Sequence, residues 1–539
     1  VTGGNGNDVI ILSTGNDTVN SGNGNDDITA AAGTNDINTG SNNDQVTLTG
    51  GNNDVDTGSG NDTVNVSNGS NDIDTGSGSD QVTLTGGTND VDTGSDSDTI
   101  TLGGDDTVDT GSGNDTVEAG ATLTTADTVN GGDGSGDTIL STIALTDALT
   151  ARLSNFEVLD IKGGGGITHD ITGLTGLTSL KASGALTGAV VITDLAEAAE
   201  VDISAAIGND LTINQINAAG GADTLTFDFS GSSLTTGGSI IAPNIETVTL
   251  KTSDSGTKTM SGGTFADATN VTITATGASL VINDFTATNI TALDASSSNK
   301  ILNITTGADV FSGAFTFSGG SNRDTLDFDG ATVVAGSVFE LGRNQDTLTL
   351  NSDAVATVVR SSGQNSNHAF SVRDDATSAN TASFTSGSDT FDYNGSLSHD
   401  SVTSVVAASG ATLQAAVAAD ADATVYVIQD ADGDADLETA INSFADSVSS
   451  TRANNLEIDA VDTGLLSYTG LDAAFDSSDI VLIVIDSETN EDATTANNGG
   501  TAIYRFQNSD TGTVDTVLSS ELELIGVFQD AALSTVDFV

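Results

Sequence analysis

The chain has 539 residues, enough to bury a substantial core across about three domains. Its 76 acidic and 12 basic residues give a net charge of −64, with no Lys or Arg before Arg152, so it repels nucleic acid and anionic membrane and needs cations to fold compactly. With no Cys, 63 Gly, one Pro and 36% apolar residues at regular spacing, it is neither disulfide-built nor disordered, and its Thr, Val, Ile and Asn point to β-structure.

The first 140 residues repeat every 18. Ile10, Ile28, Val46, Val64, Val82 and Ile100 form one column at that interval, continued by Val117 after a one-residue deletion. Val19, Ile37, Val55, Ile73 and Val91 form a second, continued by Val108. Gly, Asn, Asp, Ser and Thr fill the turns between them. A short fixed period with turn chemistry predicts a solenoid, two short strands and two turns per coil, whose core is buried by stacking.

The two turns differ. Two residues before the first column stands Asp8, Asp26, Asp44, Asp62, Asp80, Asp98 or Asp115, and four residues before each stands Gly4, Gly22, Gly40, Gly58, Gly76, Gly94 or Gly111. A second glycine follows at Gly6, Gly24, Gly60, Gly78 and Gly113. The segments GGNGNDVII and TGSGNDTVN resemble the RTX nonapeptide G-G-x-G-x-D-x-U-x, whose turns bind calcium in a parallel β-roll. Electrostatics leads to the same place. Stacked strands lie about 4.8 Å apart, and carboxylates at that spacing repel by roughly 1 kcal/mol in water and several at lower dielectric. Oxygen ligands alone favour a hard cation, and calcium tolerates mixed carboxylate and carbonyl shells better than magnesium. Glycine lets the turn carbonyls point inward at the ion.

At the equivalent place in the second turn stand Asp17, Asn35, Asn53, Asn71, Asn89 and Asp106, and only the later glycine is kept, at Gly15, Gly33, Gly51, Gly69, Gly87 and Gly104. Asn amides can stack and hydrogen-bond from coil to coil without an ion. One strong calcium column and one weak or absent one are therefore expected, with Asp17 and Asp106 retained as candidate ligands. The neighbouring Asp54, Asp72 and Asp90 keep an ionic reading of that edge open. Beyond Asp115 the repeat loosens, and GGDGSGD, ending in Asp137, is a candidate last calcium turn.

From about 160 to 385 many short alternating segments predict strands, among them VVIT (190–193), LTIN (211–214), TLTFDF (224–229), VTITAT (271–276) and TLDF (325–328). An irregular parallel β-solenoid or a β-sandwich would accommodate them. The echo of LSNFEVLDI (153–161) in APNIETVTL (242–250) favours the solenoid, as does Asp-Thr-Leu recurring at 223–225, 324–326 and 346–348 like worn copies of the N-terminal turns. From about 386 the pattern changes to an α/β unit. Ala411–Asp420 and Leu437–Val448 read as helical, and VYVI (425–428), IVLIVID (480–486), TAIYRFQ (501–507) and ELELIGVF (521–528) as strands. The acidic DADGDAD (430–436) between them is either a calcium loop or a helix N-terminus. The expected class is all-β dominated: an RTX β-roll over 1–140, a β-rich region over 141–385 and a small C-terminal α/β domain over 386–539.

No apolar segment is long enough to span a membrane, and no signal-peptide pattern opens the chain. It starts at Val1 inside a repeat, as expected of a processed protein or of the C-terminal piece of a longer one. Its acidic, apolar end, finishing Asp537-Phe538-Val539, resembles the C-terminal signal of type I secreted RTX proteins. His169, His368 and His399 lie far apart, and there is no H-E-x-x-H, P-loop or nucleophile elbow, so no enzyme is expected. Taken whole, the chain resembles RTX-type bacterial surface-layer proteins. That resemblance implies a secreted cell-surface protein that folds on multiple calcium ions and assembles with itself, with cell-surface polysaccharide as a further candidate partner. An RTX adhesin, an extracellular filament or matrix protein, and the calcium-folding export part of a larger secreted protein are the alternatives.

Overall fold

The computed structural model describes residues 1–342, apart from short segments at 164, 198, 217–220, 222, 308–310, 329–330, 332 and 335–336, and beyond them the strands between Asp346 and Gln529. Contacts divide the chain into two compact units, Val1–Ile245 and Glu246–Val539.

The first unit is a parallel β-solenoid. One sheet of nine strands runs from Thr2–Gly4 through Thr18–Asn23 and Thr34–Ser41 to Leu153–Ser154. A second starts at Val9–Leu12, Asp27–Ala30 and Gln45–Leu48 and continues to Thr224–Phe229. The predicted columns are the registers of these sheets. Ile10 pairs with Ile28, Ile28 with Val46 and Val46 with Val64 on one; Val19 pairs with Ile37 and Ile37 with Val55 on the other. Alternate residues face inward, so Gln45–Leu48 reads exposed, buried, half-buried, buried. From Ile28 to Val117 the first column has 0% exposure, and each such β-branched side chain contributes roughly 1.5–3 kcal/mol by leaving water.

The stack does not stop where the 18-residue count fails. Val117 pairs with Ile139, Ile139 with Leu159, Leu159 with Leu180, Leu180 with Val201 and Val201 with Phe227. Opposite them lie Ile167–Asp170, Val190–Leu195, Leu211–Gln215 and Ser239–Ile241, parallel to one another. Of the two architectures open for 160–385, the solenoid is the one that the described residues adopt. The two echoing segments share their bend, with Asn155 and Asn244 both left-handed at φ 55° and 56°. Among the described residues the only α-helix is Asp147–Thr150.

The second unit has parallel stacks of its own. Thr247–Thr252 pairs with Asn270–Ala275, and Leu302–Thr306 with Thr325–Phe328, which pairs with Asp346–Leu350. Coils are longer here, with 22 residues between equivalent bonding positions against 18 in the N-terminal coils. The wider coil takes larger side chains: Phe311, Phe315, Phe328 and Phe339 form a cluster with ring centroids 4.8–6.0 Å apart. Farther on, Ile480–Asp486, Gly500–Gln507 and Leu522–Gln529 pair antiparallel, a departure from the parallel rule of the coils. The helices expected around 411–420 and 437–448, the acidic 430–436 and the last ten residues lie outside the described residues.

Candidate metal centre

Backbone conformation comes first. Gly58 has φ 87°, and a Cβ there would collide with the carbonyl oxygen of Gly40 in the preceding coil, so only glycine permits both the turn and the stacking. Gly22, Gly40, Gly76, Gly94 and Gly111 repeat this left-handed turn, as do Gly24, Gly60, Gly78 and Gly113 two residues later. Where that second glycine is missing, Asn42 and Asp96 take its place at φ 78° and 80°, the residue types that tolerate this region best. Gly4 and Gly6, in the first coil, have no neighbour that a Cβ would meet.

These turns hold the aspartates in a file. The backbone N–H of Asp8 donates to Oδ1 of Asp26, and the pattern repeats from Asp26 to Asp44, then Asp62, Asp80, Asp98, Asp115 and Asp137, at 2.7–2.8 Å throughout. From Asp26 to Asp137 the residues are at most 3% exposed. One carboxylate oxygen of each is thereby satisfied. The other, Oδ2, is buried without a hydrogen-bond partner in all of Asp8, Asp26, Asp44, Asp62, Asp80, Asp98, Asp115 and Asp137. Burial pushes Asp44, Asp80 and Asp137 up to about 6 and Asp98 to about 7, with neighbouring carboxylates adding to the rise; Asp62 and Asp115 rise for the same first reason.

Two features of this file escape the sequence reading. Thr39, Thr57, Thr75, Thr93 and Thr110 are fully buried, and each hydroxyl donates to a carbonyl one coil on while easing the charge of the aspartate five residues later. Their fixed place before the turn glycine was the available signal. The file is also closed by a glutamate: the N–H of Asp137 donates to Oε2 of Glu157 at 3.0 Å. Glu157 stands two residues before Leu159, so Glu-x-apolar replaces Asp-x-apolar.

The second edge is built differently. Nδ2 of Asn35 donates to Oδ1 of Asn53, Asn53 to Asn71, Asn71 to Asn89 and Asn89 to Asp106, at 2.7–2.8 Å. Asp17 enters through its N–H, which donates to Oδ1 of Asn35. Asp106 differs from the first file because protein donors engage both its oxygens, Asn89 on Oδ1 and the Gly103 N–H on Oδ2. Its own N–H donates to Asp127, whose Oδ2 accepts from Thr124. Outside this edge Asp36, Asp54, Asp72 and Asp90 stand exposed in register, as do Asp56, Asp74, Asp92 and Asp109.

The first file fits a hard cation. It offers oxygen donors only, and a buried carboxylate oxygen without a partner is costly unless a cation or a proton meets it. Among the described residues no three His, Asp or Glu side chains converge as a metal cluster, so the donor set is distributed at one carboxylate per coil.

The family model for the RTX calcium-binding nonapeptide repeat matches four times, over residues 2–37, 29–64, 47–82 and 100–121. No curated protein matches the chain. The matches end at 121 while the aspartate file runs on to Asp137. The N-terminal region is made of RTX calcium-binding nonapeptide repeats, and multiple calcium ions are its expected cofactors.

Proposed function

We propose that the chain is a secreted structural protein of the bacterial cell surface that folds on calcium outside the cell and assembles with itself into a surface layer. RTX repeats and a β-solenoid fit a calcium-binding secreted protein. The observation that carries the reading is the file of eight partnerless Oδ2 atoms, assigned here as the calcium ligands together with carbonyls of the glycine turns. Bound calcium supplies the positive charge that these oxygens lack.

At low calcium and neutral pH the stacked carboxylates repel, and the N-terminal coils stay loose enough for export. At roughly millimolar extracellular calcium the turns close, since a ligand bound only by the folded state stabilises it by mass action. The two exposed aspartate ladders give the folded coil an acidic outer face, which divalent cations can bridge to an equivalent face of another copy. A catalytic role has less support. His169 lies fully buried, accepts from the Leu145 N–H, and is pushed down to about 4 by burial, which describes a core histidine.

Sedimentation velocity of the full chain across a calcium titration, with magnesium as control, tests this. Calcium-specific compaction followed by very large species is the expected result. Compaction that stops at the monomer would sink assembly by calcium alone and favour an adhesin.

A further inference from the structure

The second unit repeats, once, the arrangement of the aspartate file. Asp324 is 1% exposed and Asp346 is 3% exposed. The N–H of Leu302 donates to Oδ1 of Asp324 at 2.9 Å, and the N–H of Asp324 donates to Oδ1 of Asp346 at 2.8 Å. Oδ2 of Asp324 is buried without a hydrogen-bond partner. Each aspartate stands two residues before a stacked apolar pair, Leu326 and Leu348. The turn matches as well. Gly320-Ser321-Asn322-Arg323-Asp324 repeats Gly40-Ser41-Asn42-Asn43-Asp44 at four of five positions. Gly342 precedes Asp346 by the same four residues, with φ 88° beside the 87° of Gly58. A Cβ on Gly342 would strike the Gly320 carbonyl oxygen, as one on Gly58 would strike that of Gly40.

From this geometry we infer that Asp324 and Asp346 hold one further calcium ion, in the second unit and outside every match to the repeat family. Leu302 on one side and Phe370 on the other occupy the places where the file would continue, so the site is single. Burial pushes Asp324 up to about 6 although the amides of Leu302 and Gly320 ease it, and it raises Asp346 well above the usual range although Arg323 opposes this. The consequence goes beyond calcium folding of the roll: the second unit would have its own calcium dependence.

Hydrogen exchange by mass spectrometry on the full chain tests the site, in calcium-free buffer and with calcium or magnesium chloride. Calcium, not magnesium, is expected to slow exchange around Asp324 and Asp346 as well as around residues 8–137. In Asp324→Asn and Asp346→Asn the calcium effect around 324 and 346 should be lost, while that of the roll stays. The calcium-free exchange of each variant, compared with wild type, shows that the unit still folds. Protection of the roll with none at Asp324 would overturn the second site and leave the roll standing. Protection at Asp324 that survives both substitutions would overturn it too. No calcium effect in either region would overturn both.

Discussion

The two edges of one coil differ by little more than an atom per turn. Both place a side chain two residues before a buried apolar column, and both bury it. On one edge Asn71 has a donor and an acceptor, so its amide takes a hydrogen bond from Asn53 and gives one to Asn89, and the ladder closes on protein alone. On the other Asp62 has acceptors only: the Asp44 N–H satisfies Oδ1 and the Thr57 hydroxyl eases the charge, but Oδ2 is left without a hydrogen-bond partner. On the function proposed above, cation dependence belongs to the edge whose carboxylates keep an unmatched oxygen, while the edge that carries amides closes on itself.

The largest test removes the cation. At calcium one hundred times the dissociation constant each ion contributes about 2.7 kcal/mol, so a few filled gaps match the whole stability of an ordinary domain. Chelation at pH 7.5 is expected to weaken the β-signal of the N-terminal coils in circular dichroism and to lower their melting temperature more than any single substitution does. Acid should restore part of it without calcium. Asp44, Asp80 and Asp137 titrate near 6 and Asp98 near 7 in the folded chain, against 3.8 ordinarily. The metal-free folded state therefore binds more protons than the unfolded one between these values. Its stability is fully present below about 3.8 and is lost as pH rises through about 6 to 7. A calcium-free melting temperature that rises between pH 5 and 7.5 would contradict the bare-oxygen account.

A single substitution gives a smaller effect with a sign that changes. Asp62→Asn keeps an oxygen for the Asp44 N–H and replaces the bare Oδ2 by a neutral amide group. With calcium present the variant is expected to bind fewer ions and melt lower. Without calcium it should melt higher than wild type, by the equivalent of about 1–3 kcal/mol, because a buried unsatisfied charge is gone. Calorimetric melts in both buffers separate this from simple damage to packing, which would lower both.

What the sequence disclosed follows from how regular it is. Where coils keep 18 residues, spacing alone identifies the stacked pairs, as from Ile28 to Ile100, and Asp against Asn forecasts the bonding of each edge. Where coils lengthen to 22 residues, equivalent positions no longer recur at one interval and the core passes from Val and Ile to Phe328 and Phe339. Solenoid and sandwich then look alike in sequence, since both need short alternating strands. Asp324 and Asp346 were visible as a recurring Asp-Thr-Leu, but that tripeptide says nothing of burial, and only the fold brings the two into one file with an oxygen left over. The buried threonines were hidden for another reason: Thr57 looks like an ordinary turn residue until its 0% exposure is known.

The smallest expected change in ion count, one calcium per chain, probes the comparison from the amide side. Asn53→Asp with Asn71→Asp removes the Nδ2 donors to Asn71, Asn89 and the Gly50 carbonyl, while Asn35 can still donate to residue 53. Two stacked carboxylates with unmet oxygens result, a short copy of the first edge. Calcium-free stability should fall by about 1–3 kcal/mol per lost donor, and equilibrium dialysis should find one more calcium per chain. The backbone makes this a demanding test, because the second turn keeps only the later glycine, at Gly51, Gly69 and Gly87. An added ion would mean that the carboxylate alone selects the cation on either edge. Lower stability with no added ion would place the selectivity in the paired-glycine turn, whose backbone carbonyls the second edge cannot reproduce.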